Sequence, residues 1–136
     1  MSFMREAVVG GLNDDQLEMA NILRRLGVQI NVAKLITYLA AAGESTSREI
    51  EMGAGLRQPE VSIAMRTLRR ENWVREYDVK AAGKGRPHKV YALTTPLDEI
   101  IGLIEEGKRK DSAQAIESVQ KLRGLATTLG GRTIEA

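Results

Sequence analysis

Apolar residues recur every three or four positions in the first half of this chain, which is the spacing of residues on one side of an α-helix. The pattern predicts amphipathic helices over residues 14–26, 30–42, 46–52 and 59–71. In the second of these, the apolar side chains are expected to face a core and Thr37 to face outward.

Residues that favour helix ends bound these segments. Asn13 with Gln16, and Thr46 with Glu49, have the spacing of capping boxes, in which each residue's side chain accepts from the other's backbone N–H. Residues 53–55 have the sequence Gly-Ala-Gly, which favours helix termination. The third helix is therefore predicted to stop before them.

Two later segments are rich in Val, Tyr, Trp and Thr, which favour β-strands. They cover residues 73–80 and 88–94, and the sequence AAGKGRP between them contains turn-forming and basic residues. This pattern predicts a β-hairpin with a basic tip. A short helix, a glycine-containing turn and a second helix are typical of a helix-turn-helix, whose second helix lies in the DNA major groove. We therefore predict a mainly α-helical fold with a small hairpin.

The C-terminal part contains a further helical pattern. Thr95 and Pro96 form a typical helix start, a capping residue followed by a proline suited to the first turn. Gly107 and the basic residues 108–110 indicate an interruption, and the pattern leaves open whether one bent helix or two helices follow. The apolar stripe of this segment comprises Leu97, Ile100, Ile101, Ile104, Ile116, Val119, Leu122 and Leu129.

This stripe is the best candidate for joining two copies of the chain, because the preceding helices already supply a core. The alternative is that it packs on its own chain, for example on the first helix. We predict an N-terminal arm at 1–13, a binding domain with its leading helix at 14–95, a dimerisation segment at 96–130 and a frayed tail at 131–136.

Charge is unevenly distributed along the sequence. The 136 residues carry a formal net charge of only +2. Between Arg57 and Lys89, however, there are nine Lys or Arg residues and four Asp or Glu residues. Positive charge concentrated on one helix and one hairpin is typical of a surface that binds nucleic-acid phosphates. The alternative is a solvated basic surface.

Polar residues in the same region have the spacing needed to contact bases. Gln58, Ser62 and Arg66 are each four positions apart, so they share one face of the predicted helix. Gln can pair with adenine edges and Arg with guanine edges, and the adjacent Ile63 can contact a thymine methyl group. Alternatively, Arg66 and Arg70 contact only phosphates or solvent.

The composition argues against other classes of protein. With no cysteine and one histidine, the chain lacks the nucleophile, base and orienting group expected of an enzyme. We predict no metal site and no cofactor. No apolar run approaches the roughly 20 residues of a membrane span. No signal-peptide core is visible near the N-terminus, so we expect a cytoplasmic protein.

Residues 26–95 resemble the winged helix-turn-helix of prokaryotic transcriptional regulators of the MarR, ArsR and TrmB-like kinds. The small size and the sequence RQPEVSIAMR, at residues 57–66, are most similar to those of compact archaeal regulators. The motifs that carry the resemblance are Val61-Ser62, the spacing of Met65 and Leu68, Trp73-Val74, Gly85-Arg86-Pro87 and Tyr91-Ala92-Leu93-Thr94. Asn72 stands where these families usually have glycine, although Asn tolerates the same left-handed conformation. The metal-binding clusters of ArsR relatives and the sugar-binding domain of long TrmB proteins are missing.

The resemblance implies a winged helix-turn-helix with accessory helices at both ends, residues 59–71 forming the recognition helix and residues 80–89 the wing. The residues that the resemblance places at the DNA major groove are Arg57, Gln58, Ser62, Ile63 and Arg66. The residues that it places at the DNA backbone or minor groove are Arg70, Lys84, Arg86 and Lys89. The predicted DNA-binding set is completed by Arg69, Lys80 and His88.

The implied function is sequence-specific binding of double-stranded DNA by a homodimeric transcription regulator. The alternative is a winged helix that binds an acidic protein partner and has no specific DNA target.

Overall fold

A computed structural model describes residues 11–80 and 87–130. In chain order the elements of these ranges are α1 (Asp14–Arg25), α2 (Ile30–Ala42), β1 (Ser45–Thr46), α3 (Ser47–Ala54), α4 (Gln58–Arg70), β2 (Val74–Val79), β3 (His88–Leu93) and α5 (Leu97–Thr128). The prediction of a mainly helical fold with a small β-hairpin is confirmed.

Both predicted capping boxes are present. At the start of α1, the backbone N–H of Gln16 donates to Oδ1 of Asn13 at 2.8 Å, and that of Asn13 donates to Oε1 of Gln16 at 2.9 Å. Thr46 and Glu49 form the same reciprocal pair at the start of α3. These bonds satisfy N–H groups that have no partner inside the helix, and they fix where each helix begins.

The end of α3 differs from the prediction. The helix runs through Gly53 to Ala54 and ends at Gly55, which has a left-handed φ of 68°. A Cβ atom added at Gly53 would overlap the ring of Tyr38 on α2. The absence of a side chain at Gly53 therefore permits close packing of α2 against α3, which helical periodicity alone does not indicate.

Helices α2, α3 and α4 surround one hydrophobic core. Its large, fully buried side chains are Leu35, Ile36, Leu39, Ile50, Met65 and Leu68. Thr37 of α2 is also buried, and its hydroxyl donates to the carbonyl oxygen of Ala33 at 2.8 Å. The prediction that Thr37 faces outward is wrong, because this bond within the helix satisfies the hydroxyl and permits its burial.

The sheet has three antiparallel strands in the order β1-β3-β2. β2 and β3 form the predicted hairpin through six residue pairs. The two-residue strand β1 was not predicted, and it pairs Ser45 with Tyr91 and Thr46 with Val90. Because Thr46 also caps α3, this short strand holds the start of that helix beside the hairpin.

Asn72 connects α4 to β2 with a left-handed φ of 62°. The hydroxyl of Thr94, just after β3, donates to the carbonyl oxygen of Asn72 at 3.1 Å. The backbone N–H of Thr94 donates to the carbonyl oxygen of Trp73 at 2.8 Å. These two bonds hold the turn after α4 against the end of the hairpin.

Helix α5 is continuous over 32 residues and is not interrupted at Gly107. The chain divides after Ile100 into two compact units, so the first turn of α5 belongs to the first unit. There Leu97 packs against the core and Ile100 is fully buried. The assignment of Ile100 to a dimer surface is corrected, because its side chain is inside the fold.

The second unit, over its described residues, is the remainder of α5 and the residues that follow it to Gly130. Ile104 is partly buried. Exposed large apolar side chains of this unit are Ile101, Leu103, Ile116, Val119, Leu122, Leu125 and Leu129. Among the helices described, α5 included, none has the length and apolar content required to cross a bilayer.

Candidate nucleic-acid interface

Helix α4 buries one side and exposes the other. The buried side consists of Val61, Ala64, Met65 and Leu68. Beside and beyond this buried side, Gln58, Ser62 and Arg66 are exposed, and the adjacent Ile63 is 62% exposed. We call the surface formed by Gln58, Ser62, Ile63 and Arg66 the α4 face. It combines hydrogen-bonding groups, one positive charge and one apolar side chain, which are the groups that contact base edges in other proteins.

Two residues of the α4 face are bonded to each other. The Nε2 atom of Gln58 donates to Oγ of Ser62 at 3.1 Å. This bond uses one of the two N–H donors of the Gln58 amide, and the carbonyl oxygen keeps its own acceptor capacity. Ser62 therefore orients the Gln58 side chain along the helix while leaving it able to bind a partner.

Arg57, at the start of α4, is paired with Glu60. Its backbone N–H donates to Oε1 of Glu60 at 2.8 Å, and its guanidinium Nη2 lies 3.3 Å from Oε2. Both bonds lower the pKa of the Glu60 carboxyl group, and the backbone bond has the larger effect. The Arg57 side chain is 85% exposed, so the ion pair is weak and a phosphate can compete with Glu60 for the guanidinium.

Arg69, Glu76 and Lys89 form an ion cluster that joins α4 to both strands of the hairpin. The Nη1 atom of Arg69 donates to Oε1 of Glu76 at 2.7 Å, and Nζ of Lys89 lies 3.3 Å from Oε2. The bond from Arg69 lowers the pKa of Glu76 most, and Lys89 lowers it further against the opposing effect of partial burial. Two predicted DNA-binding cations thus share one ionised carboxylate.

A groove of about 450 Å³ lies between α4 and the hairpin. It brings together residues of α3, α4, β2 and β3 that are far apart in sequence. Its lining residues are Ser47, Gln58, Val61, Ser62, Met65, Arg69, Glu76, Lys89 and Tyr91. Part of the α4 face and all of the ion cluster therefore border the same groove.

Sequence reasoning did not select Ser47 or Glu76 as site residues. Ser47 reaches the groove because β1 pairs with β3, and no local pattern indicated that pairing. The position of Glu76 could have been inferred from the sequence. It lies two positions after the buried Val74 in a predicted strand, and because side chains alternate along a strand, both point to the same face of the sheet.

A second cavity of about 540 Å³ adjoins the start of α3 and the start of β3. It is lined by Thr46, Ser47, Arg48, Glu49, Met52, His88 and Lys89. The structure thereby places the predicted His88 and Lys89 beside Arg48, which sequence reasoning did not select. Arg48 extends the basic surface of the hairpin onto α3.

The other predicted residues are placed less centrally. Arg70 is exposed at the end of α4, and Lys80 is exposed just after β2. Lys84 and Arg86, predicted at the tip of the wing, lie outside the described residues. Within the described ranges, the predicted residues brought together around the groove are Gln58, Ser62, Arg69 and Lys89.

Sequence searches match no protein family model and no curated protein. The fold, in contrast, is similar to solved structures. One is described as a possible transcriptional regulator from Methanosarcina mazei Go1, with 11% sequence identity and a TM-score of 0.56. The match covers 74% of this chain and 83% of that one.

A second similar structure is TrmBL2, described as an archaeal chromatin protein with a novel mode of DNA binding. Its sequence identity is 18% and its TM-score 0.56, over 89% of this chain and 44% of TrmBL2. A MarR family regulator from Neisseria meningitidis aligns over 82% of both chains with 17% identity and a TM-score of 0.45. The predicted fold, a winged helix-turn-helix, is confirmed by the order of helices α2 to α4 and the β2–β3 hairpin and by the two similar structures with TM-scores of 0.56.

Proposed function

We propose that this protein binds double-stranded DNA and regulates transcription. The observation that carries the proposal is that Gln58, Ser62 and Arg66 are exposed on α4 and that two of them, Gln58 and Ser62, border the same groove as Arg69 and Lys89. The structural similarity to a protein described as a possible regulator, and to a chromatin protein described as binding DNA, supports it.

In this proposal α4 enters the major groove and the hairpin contacts the phosphate backbone or the minor groove. Gln58 and Arg66 read base edges, each contributing about 1–3 kcal/mol of discrimination against a wrong base. Ile63 contacts a thymine methyl group. Arg70 and Lys80 bind phosphates and contribute affinity that does not depend on sequence.

A mobility-shift assay on random-sequence duplex DNA over a series of salt concentrations tests the proposal. The logarithm of the binding constant should fall steeply with the logarithm of salt concentration, by about 0.9 for each phosphate neutralised. Arg66→Ala should weaken binding, whereas Arg25→Ala, at an exposed site on α1 outside the α4 face and the groove, should not.

Absence of duplex binding, or binding that salt does not weaken, would contradict the proposal. The alternative function is a protein-interaction module whose basic surface binds an acidic partner. If the DNA proposal holds, sequencing of genomic fragments selected by the protein identifies the operator and tests whether binding is sequence-specific.

We also propose that the protein acts as a homodimer through its second unit. The support is the exposed apolar side chains of this unit, which include Ile101, Ile116, Val119 and Leu122 of α5 and Leu129 just after it. Several large apolar side chains exposed on one helix favour association. A two-fold symmetric dimer places two recognition helices on one DNA duplex, so we expect the operator to be palindromic.

A further inference from the structure

The ion cluster of Arg69, Glu76 and Lys89 borders the groove between α4 and the hairpin, the two elements that the proposed function places against DNA. The side chains of Arg69 and Lys89 are 45% and 52% exposed, and that of Glu76 is 28% exposed. The two cations are therefore accessible from the groove, while the carboxylate lies between them and is more covered.

The carboxylate of Glu76 bridges these two cations. A carboxylate, like a phosphate, accepts charge-assisted hydrogen bonds from Arg and Lys through separate oxygen atoms. Here Oε1 of Glu76 accepts from Arg69 and Oε2 pairs with Lys89. Two positive charges and one negative charge leave the cluster with a single positive charge.

We propose that Glu76 competes with DNA phosphates for Arg69 and Lys89, and that it thereby limits the sequence-independent affinity of the groove. This inference rests on the proposed function. Because the ion pairs are partly exposed to solvent, a phosphate can exchange with the carboxylate. Glu76 thereby lowers the contribution of phosphate contacts to the affinity for DNA, and it leaves the contacts of the α4 face unchanged.

The test compares Glu76→Gln with Asp78→Asn. Both substitutions remove one negative charge from β2, but none of the ion pairs between described residues involves Asp78. Glu76→Gln should raise the affinity for random-sequence duplex DNA about fivefold more than Asp78→Asn does, and should steepen the salt dependence by about one phosphate contact. Equal effects of the two variants, or weaker binding by Glu76→Gln, would overturn the proposal.

The same comparison in an Arg69→Ala/Lys89→Ala background identifies the source of the effect. If Glu76 acts by occupying these two cations, Glu76→Gln gains no more affinity there than Asp78→Asn does. A gain that persists without the two cations would overturn the proposal. Circular dichroism of every variant establishes that it is folded before its affinity is compared.

Retention on heparin, a polyanion without bases, separates this inference from the proposed function. Glu76→Gln should elute at higher salt than both the wild type and Asp78→Asn, because its two cations are no longer held by a carboxylate. Wild-type protein that binds no duplex DNA, combined with this elution order, would contradict the proposed function alone. Elution of Glu76→Gln together with Asp78→Asn would contradict the competition.

Discussion

Asn72 occupies the one non-glycine position with positive φ among the described residues. A left-handed backbone costs most L-residues about 1–2 kcal/mol, and Asn, like Gly, adopts it more readily. The bond from the Thr94 hydroxyl is accepted by the backbone carbonyl of Asn72, so a side-chain substitution does not remove its acceptor. The conformation, more than the contact, therefore determines which residues are suitable here.

We expect Asn72→Ala to lower the free energy of unfolding by about 1 kcal/mol, because alanine has no local compensation for positive φ. Asn72→Gly should be close to wild type. Urea unfolding followed by circular dichroism measures both. Glu71→Ala, one residue earlier with an ordinary φ of −82°, is the matched control. Asn72→Ala as stable as Glu71→Ala would contradict this account.

The packing of α2 against α3 depends on Gly53. Gly53→Ala should destabilise the protein by about 1–3 kcal/mol, since the new methyl group displaces the Tyr38 ring from its packed position. Gly124→Ala in α5 is the control, because a Cβ there has no neighbour within 4 Å. This control should cause no destabilisation, as alanine favours helix more than glycine does.

Thermal unfolding of the two glycine variants tests this prediction. A double-mutant cycle with Tyr38→Ala tests whether the Tyr38 ring causes the destabilisation. Once the ring is removed, Gly53→Ala should be much less destabilising. An unchanged effect of Gly53→Ala in the absence of the ring would assign the destabilisation to something other than this contact.

Helix starts could be predicted from the sequence because capping is local. The Asn13–Gln16 and Thr46–Glu49 pairs span only three residues, and their spacing is visible in the sequence. Pairing of β1 with β3 joins residues about 45 positions apart, so no local pattern reports it. The groove depends on that pairing, which is why Ser47 was missed.

Helix α1 illustrates a limit of periodicity. The apolar residues of the segment predicted as a helix at 14–26 include Met19, Ile22, Leu23 and Leu26, and only Leu23 of these four is buried. Ala20 is buried beside it. The helix has apolar residues on two adjacent sides, and the spacing alone does not show which side packs on α2.

The dimer proposal predicts that one charge on the exposed stripe of α5 disrupts self-association. Leu122 is 65% exposed in the single chain, and a glutamate there would be buried without a partner in an apolar interface. We expect wild-type protein to have the mass of two chains and Leu122→Glu that of one. Light scattering coupled to size-exclusion chromatography at several concentrations measures this.

Gln120→Glu introduces the same charge two positions away, at another exposed site on the helix, and should remain dimeric. Wild-type protein that is monomeric at every concentration would contradict both the dimer and the palindromic operator. Loss of the dimer in both variants would indicate a general effect of charge on the helix instead of a specific apolar contact.

In the strand order β1-β3-β2, β2 is the long outer strand of the described sheet. Three of its six residues are charged, Arg75, Glu76 and Asp78. Charged outer strands oppose edge-to-edge addition of a strand from another molecule, a common route to aggregation. The charges on β2 thus oppose sheet extension between copies of the chain, which favours a protein that stays dispersed at high local concentration.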